Sequence, residues 1–220
     1  MSKNLVFKKR RLLLAKHMEP YSTAIISSSP IKIRNNDSTY RYRQCSNFYY
    51  LTGFEKPDSV LLIYKDRSNS VAHFFSKQPN KHDSVWSGEL MTSRKIQNIY
   101  GFDKCGYTEN LELELYSYLK KSKSIYHSLS KQSDLMTLVD GCLQKIENNY
   151  RKGAELPSNH YSINKIVHKL RLIKSNEEIA IIKKACKISA DAHINLMSKC
   201  KPNVSEKKIE SQLLYDFGAT

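Results

Sequence analysis

The sequence predicts an α/β fold: a mixed-sheet N-terminal domain with flanking helices, followed by two helices that open a second domain. Three observations carry that expectation. Apolar runs of strand length alternate with stretches of helical period over residues 1–173. Ser175-Asn176-Glu177-Glu178 is a strong helix-start signal at the head of residues 174–220. No internal repeat interrupts the pattern.

In order along the chain, Leu5–Met18 reads as a helix. Its cluster Lys8-Lys9-Arg10-Arg11 has the composition of a nuclear signal, but a basic face on an amphipathic helix is the simpler reading. Thr23–Ser27 is a short buried strand, and Ser28–Asn36 is a loop containing Pro30. Phe48-Tyr49-Tyr50-Leu51 is an uncharged, β-prone run broken by Thr52-Gly53, and Val60–Tyr64 is a second apolar run. The expected element is two strands joined by a loop in which Gly53 is free to take a positive φ. Asp66–Asn69 is a turn, and Val71–Ser76 a strand alternating around His73. Lys77–Ser84 is polar loop, leading to Val85-Trp86-Ser87-Gly88. Arg94–Tyr100 is a helix stopped by Gly101, and Thr108 can cap a helix over Glu109–Lys120. Ile125–Leu129 is a strand, and Ser133–Tyr150 a helix with Leu135, Leu138, Val139, Cys142 and Ile146 on one face. Arg151–Ser158 breaks the chain, and Ile163–Lys174 follows. Ser175 and Glu178 form a capping box for a helix ended by Pro202, and Ser205 starts another through Phe217.

Composition narrows the class. The chain has 220 residues, 40% hydrophobic and 26% charged, which suits one large or two small domains with a substantial core. No apolar run approaches the ~20 residues of a membrane span. The first residues lack a signal-peptide core, and neither a secretory leader nor a mitochondrial presequence is expected. Five cysteines at wide spacings, with no CxxC pair, fit reduced thiols and a cytoplasmic location. The net charge is +15, from 36 basic and 21 acidic residues. That balance suits nucleic acid or an acidic partner, but the charges are scattered without a nucleic-acid motif, and a solvated coat is the simpler reading.

One stretch is more specific than composition. Asp37, Tyr42-Arg43-Gln44, Ser46, Phe48, Tyr50, Thr52-Gly53-Phe54, Pro57-Asp58, Val60 and Leu61 stand in a single unbroken register. It resembles the N-terminal domain of the Xaa-Pro aminopeptidase (aminopeptidase P) family, whose pattern is an aspartate, then Y-R-Q-x-S-x-F-x-Y-x-T-G-F, then P-[DE]-x-V-L. A second block, Val167 to Ile179 with Arg171, Lys174-Ser175 and Glu178, resembles the family's junction between domains. Ala185 to Pro202 then resembles the first helix of its pita-bread catalytic domain. The resemblance therefore implies an aminopeptidase P N-terminal domain at 1–173 and the incomplete start of a pita-bread (α+β) metallopeptidase domain at 174–220.

The resemblance further implies a dimetal peptidase that removes the residue preceding proline, with two divalent ions, commonly manganese, activating a hydroxide and polarising the scissile carbonyl. In the family those ions are held by two aspartates spaced D-x10-D, a histidine and two glutamates. No two aspartates here are eleven positions apart, and the seven histidines show no HExxH or comparable spacing. His193 sits on an apolar helical stripe, where a satisfied core histidine is the plainer reading. The chain alone is therefore expected to bind no metal pair and to hydrolyse no peptide. The family's N-terminal domain mediates self-association and borders the active site, partly that of a neighbouring subunit. By resemblance, Asp37 is a carboxylate near the substrate end, Trp86 a wall of the cleft, and Arg151 an arginine reaching toward the neighbour. Each has a plainer reading: an Asx turn before Ser38, a core anchor, and a solvated charge. Arg43 beside the aromatic run is expected to be structural. The alternatives in function are a non-catalytic interaction module for an acidic partner and, third, a nucleic-acid binder. Without a covering sheet, the helices carrying Ile179, Ile182, Leu196, Leu213, Leu214 and Phe217 are expected to self-associate, fold back or fray.

Overall fold

The computed structural model describes residues 3–80, 91–128 and 133–219. Val85–Gly88, with Trp86, lies outside them. The described chain divides into two compact units, Met1–Arg171 and Leu172–Thr220.

The first unit is built on β1 (Ser22–Ser27), β4 (Ser59–Lys65), β5 (Ser70–Ser76), β6 (Lys104–Tyr107), β7 (Ser124–His127) and β8 (Asn159–Ser162). They form one mixed sheet in the order β6-β5-β4-β1-β7-β8. β1 pairs antiparallel with β4, and β4 with β5, while β5–β6, β1–β7 and β7–β8 are parallel. A separate two-stranded hairpin joins β2 (Ile33–Asn35) to β3 (Ser38–Thr39). The helices of this unit are α1 (Lys3–Lys16), α2 (Ser46–Thr52), α3 (Ser93–Tyr100), α4 (Leu111–Leu119), α5 (Ser133–Glu147) and α6 (Ile163–Leu172).

Helices cover both faces of the sheet, so the central strands read as continuous apolar runs rather than alternating ones. Successive side chains still point to opposite faces. Ala24, Ile26, Leu61, Ile63 and Phe74 join a cluster with Leu14 of α1, Phe48 of α2, Ile96 of α3 and Val167 of α6. Ile25, Leu62, Phe75 and Ile125 join the opposite cluster with Leu115 of α4 and Val139 and Ile146 of α5. This is the mixed-sheet α/β architecture expected. The alternation expected at β5 is not found, because Ala72 through Ser76 are all buried.

The largest correction concerns Phe48-Tyr49-Tyr50-Leu51, which forms α2 and not a strand. Phe48 and Leu51, three apart, are fully buried, while Tyr49 is exposed. Tyr50 turns its ring under Arg10, whose Cζ lies 4.2 Å from the ring centroid, and its hydroxyl donates to the Leu170 carbonyl. Burial of one helical face thus overrides aromatic β-propensity. The helix ends at Gly53, whose φ is +68° and whose N–H donates to the Tyr49 carbonyl. The Thr52 hydroxyl donates to the Phe48 carbonyl and accepts from the Phe54 N–H. The Thr-Gly-Phe sequence is therefore a helix C-terminal device. A Cβ at Gly53 would stand 2.3 Å from a Phe7 ring carbon. Gly53→Ala is expected to cost roughly 1–3 kcal/mol in a urea titration, from the left-handed backbone plus the displaced ring.

Smaller corrections follow the same logic. Thr108 does not cap a helix over Glu109–Lys120: Thr108–Asn110 is a single 3-10 turn, and α4 begins at Leu111 without a side-chain cap. The edge strands β6 and β8 and the β2–β3 hairpin are polar and short, and pairing rather than pattern creates them. The turn at Asp66 is as expected, its carboxylate accepting from the N–H groups of Ser68 and Asn69.

His73 is buried on β5 against Phe75 (ring centroids 4.1 Å apart), with the Tyr118 hydroxyl 3.3 Å and a Glu114 carboxylate oxygen 3.7 Å from Nδ1. Burial lowers its pKa to about 4, against the opposing pull of Glu114. Unfolded chains take up that proton at an ordinary pKa of 6.5. Stability is therefore full above about pH 6.5 and is lost as the pH falls toward 4, by about 2 kcal/mol after allowance for solvent screening. Urea midpoints at pH 7 and pH 4.5 should show that loss in the native sequence and a smaller one in His73→Gln.

In the second unit, α7 (Asn176–Lys199) starts with the full capping box between Ser175 and Glu178, and α8 (Glu206–Gly218) is capped by Ser205. Asn195 and Gln212 both donate to the Asp216 carboxylate. Only Ala192 is buried among the described residues of these two helices. Ile179, Ile182, Leu214 and Phe217 are exposed, and Leu196 and Leu213 are half-buried. His193 is not a core residue: it is exposed, with Nδ1 2.7 Å from the Ser189 carbonyl.

Candidate functional site

The Tyr-Arg-Gln segment lies between the hairpin and α2, and its glutamine explains much of the local geometry. Gln44 is buried, with all four hydrogen bonds of its amide made. Its Oε1 accepts from the N–H groups of Ser29 and Cys45, and its Nε2 donates to the Phe54 and Lys56 carbonyls. One side chain thereby ties the exit of β1, the start of α2 and the loop after α2. Tyr42 adds a bond from its hydroxyl to the Ser29 carbonyl, and burial pushes its pKa up to about 12.

Asp37 occupies the turn between β2 and β3 and is exposed. Arg151 sits in the one-turn 3-10 segment Tyr150–Lys152 after α5, ahead of Gly153 with φ +78°, and is also exposed. Trp86 lies outside the described residues. Arg43 is exposed and borders a cleft of about 950 Å³ framed by β1, β7, α2, α5 and α6. The main signal for that cleft in the sequence was the Tyr-Arg-Gln segment. Arg171, which also lines it, stood in the sequence only as part of the junction motif, and His127 carried no motif.

No group of three or more histidine, cysteine, aspartate or glutamate side chains is placed to hold a metal ion among the described residues. The described residues therefore do not fit a dimetal centre, which needs several oxygen or nitrogen ligands at each ion.

The family described as "Aminopeptidase P, N-terminal domain" matches residues 7–126, more than half of the chain. The chain belongs to the aminopeptidase P family. It is 31% identical to a Xaa-Pro aminopeptidase of Escherichia coli (strain K12) over 212 residues, covering 96% of this chain and 48% of that protein. A Xaa-Pro aminopeptidase of Haemophilus influenzae is 29% identical over 211 residues, covering 96% and 46%. Among solved structures, the low-pH form of aminopeptidase P from E. coli superposes with a TM-score of 0.94 at 30% identity, over 98% of this chain and 49% of that one. Proline aminopeptidase P II from Yersinia pestis gives 0.93 at 31% identity, over 98% and 50%. The chain spans about half the length of the curated relatives it matches. Among the described residues, no helix is long and apolar enough to cross a membrane.

Proposed function

We propose that these residues are the non-catalytic half of a Xaa-Pro aminopeptidase: the N-terminal domain at 1–173 and the opening helices of the pita-bread domain at 174–220. The observation that carries this reading is a match of 96% of the chain to a relative of roughly twice its length. In the complete enzyme two divalent ions, manganese by family resemblance, would supply the activated water for cleavage before proline. Their ligands belong to the half that these residues do not contain, so the chain alone hydrolyses no peptide.

The chain's own contribution is to recognise substrate and to assemble. Asp37 would attract the α-ammonium of a peptide, Trp86 would pack on its proline, and Arg151 would hold a carbonyl or carboxylate of substrate at a neighbouring subunit's site. Self-association through the N-terminal domain makes that geometry possible, and the compartment is the cytoplasm. Two features favour the alternative of an interaction module for an acidic partner: a net charge of +15 and the exposed apolar residues of α7 and α8. Nucleic-acid binding is the weakest reading. A steep loss of binding to random DNA with added salt would favour it, and pull-down of an acidic protein would favour the interaction module.

Reading the coding sequence beyond codon 220 tests the proposal. The expected result is a continuous frame that reaches D-x10-D and then a histidine and two glutamates. A frame continuing into an unrelated domain would contradict it.

A further inference from the structure

The cleft beside the Tyr-Arg-Gln segment has the properties of a ligand site in its own right. It opens at the carboxyl ends of the parallel strands β1 and β7, which finish at Ser27 and His127. In open α/β sheets, ligands seat in the crevice outside the carboxyl ends of parallel strands. β1 also pairs antiparallel with β4 on its other edge, so the sheet changes direction at this point. The volume of about 950 Å³ is at the upper end for small-molecule sites.

Its chemistry is one-sided. Lys32, Arg41, Arg43, His168 and Arg171 line it, and no aspartate or glutamate does among the described residues. A cleft of this size lined by one sign of charge focuses the field on an anion. Arg171 is held in place by a relay across the floor. Its Nη1 donates to Asn47 Oδ1, the Asn47 amide donates to Asn164, and the Asn164 amide donates to the Ser128 hydroxyl. The N-terminus of α6, at Ile163 and Asn164, faces the same space.

A second, independent observation lies at the end of β7. His127 is 7% exposed and lines the cleft; the Ser128 backbone holds its ring only loosely, and its buried Nδ1 has no well-aligned hydrogen-bond partner among the described residues. A buried polar atom left unpaired costs about 1–3 kcal/mol, and a bound acceptor removes that cost. Leu135 and Met136 of α5, both half-buried, give the cleft an apolar wall.

We propose that this cleft binds a small phosphate monoester, with the phosphate between Arg171 and His127 and an apolar or aromatic body against Leu135 and Met136. The number of cations favours a dianion over a monocarboxylate, which a single arginine would satisfy. The inference goes beyond the peptidase reading and rests on the cleft's own chemistry.

Phenyl phosphate is a suitable probe, titrated into the 220-residue chain labelled with ¹⁵N-histidine and followed by NMR at 0.15 M salt, where surface charge is screened. The expected result is saturable movement of the His127 ring signals, with half-saturation at or below about 1 mM. Inorganic phosphate and benzoate should each bind more weakly. Arg171→Gln should weaken phenyl phosphate by about tenfold or more, the worth of a charge-assisted contact. Arg43→Gln, at an exposed position, should weaken it less and leave folding intact. The proposal is overturned if His127 does not move up to about 10 mM probe. It is equally overturned if Arg171→Gln and Arg43→Gln, both folded by circular dichroism, bind as the native sequence does. Benzoate matching phenyl phosphate would also overturn it.

Discussion

Arg11→Ala is expected to lower the unfolding free energy by about 3–5 kcal/mol, although the residue sits in a basic cluster that looks like solvated surface. Arg11 is 3% exposed. Its Nη1 donates to the Leu51 carbonyl at 3.0 Å, and its Nη2 to the carbonyls of Tyr100 (3.1 Å) and Gly101. These carbonyls lie at the C-terminal ends of α2 and α3, where backbone acceptors lack intrahelical partners. One planar guanidinium thus closes two helices from a third and stacks over Phe102, its Cζ 4.4 Å from the ring centroid. Burial lowers its pKa to about 10, with Asp103 and Cys105 pulling the other way, so it stays charged at neutral pH. Truncation would leave three carbonyls short of a donor and a cavity beside Phe102. Arg11→Lys recovers little, because an ammonium lacks the fork. Lys8→Ala and Lys9→Ala, at exposed positions of the same helix, should each change stability by less than about 0.5 kcal/mol. Urea titrations of the four variants check this, and an Arg11→Ala value matching the lysine variants would refute it.

Phe74→Ala should cost a similar amount, about 3–5 kcal/mol, by a different mechanism. Phe74 is fully buried on β5 and is the hub of an aromatic group. Its ring centroid lies 4.4 Å from Phe102 in a stacked pair, 5.0 Å from Phe54 edge-on, and 6.1 Å from Phe48. These partners come from the loop after α3, the loop after α2, and α2 itself. Removing the ring opens a cavity that none of them can fill without leaving its own contacts. Phe74→Leu should cost about 1.5 kcal/mol or less, since it keeps most of the volume. A thermal or urea midpoint for Phe74→Ala within error of the native sequence would show that the site collapses freely.

These two residues also show what could and could not be read from the chain. The run Val60–Tyr64 gave a strand because a buried central strand is continuously apolar, and Ser175 with Glu178 gave a helix start because capping is local chemistry. Phe48–Leu51 misled because an aromatic run suits a strand by propensity, and only the packing of α2 on the sheet decides otherwise. Edge strands such as Asn159–Ser162 carry no apolar signature, since they exist through their pairing with β7. Arg11 was illegible for the same reason: its burial depends on carbonyls 40 and 90 residues away. The Tyr-Arg-Gln and Thr-Gly-Phe motifs mark one region of the fold. They hold the backbone there, through Gln44 and Thr52. The relay from Arg171 to Ser128 joins three elements distant in sequence, and no spacing rule could have found it.

The most direct measurement is an assay of the purified 220-residue chain against a peptide with proline in the second position, with and without added manganese. The expected result is no release of the N-terminal residue above the metal-free background. Manganese-dependent release that follows the chain through purification would contradict the proposal that the metal ligands lie outside these residues.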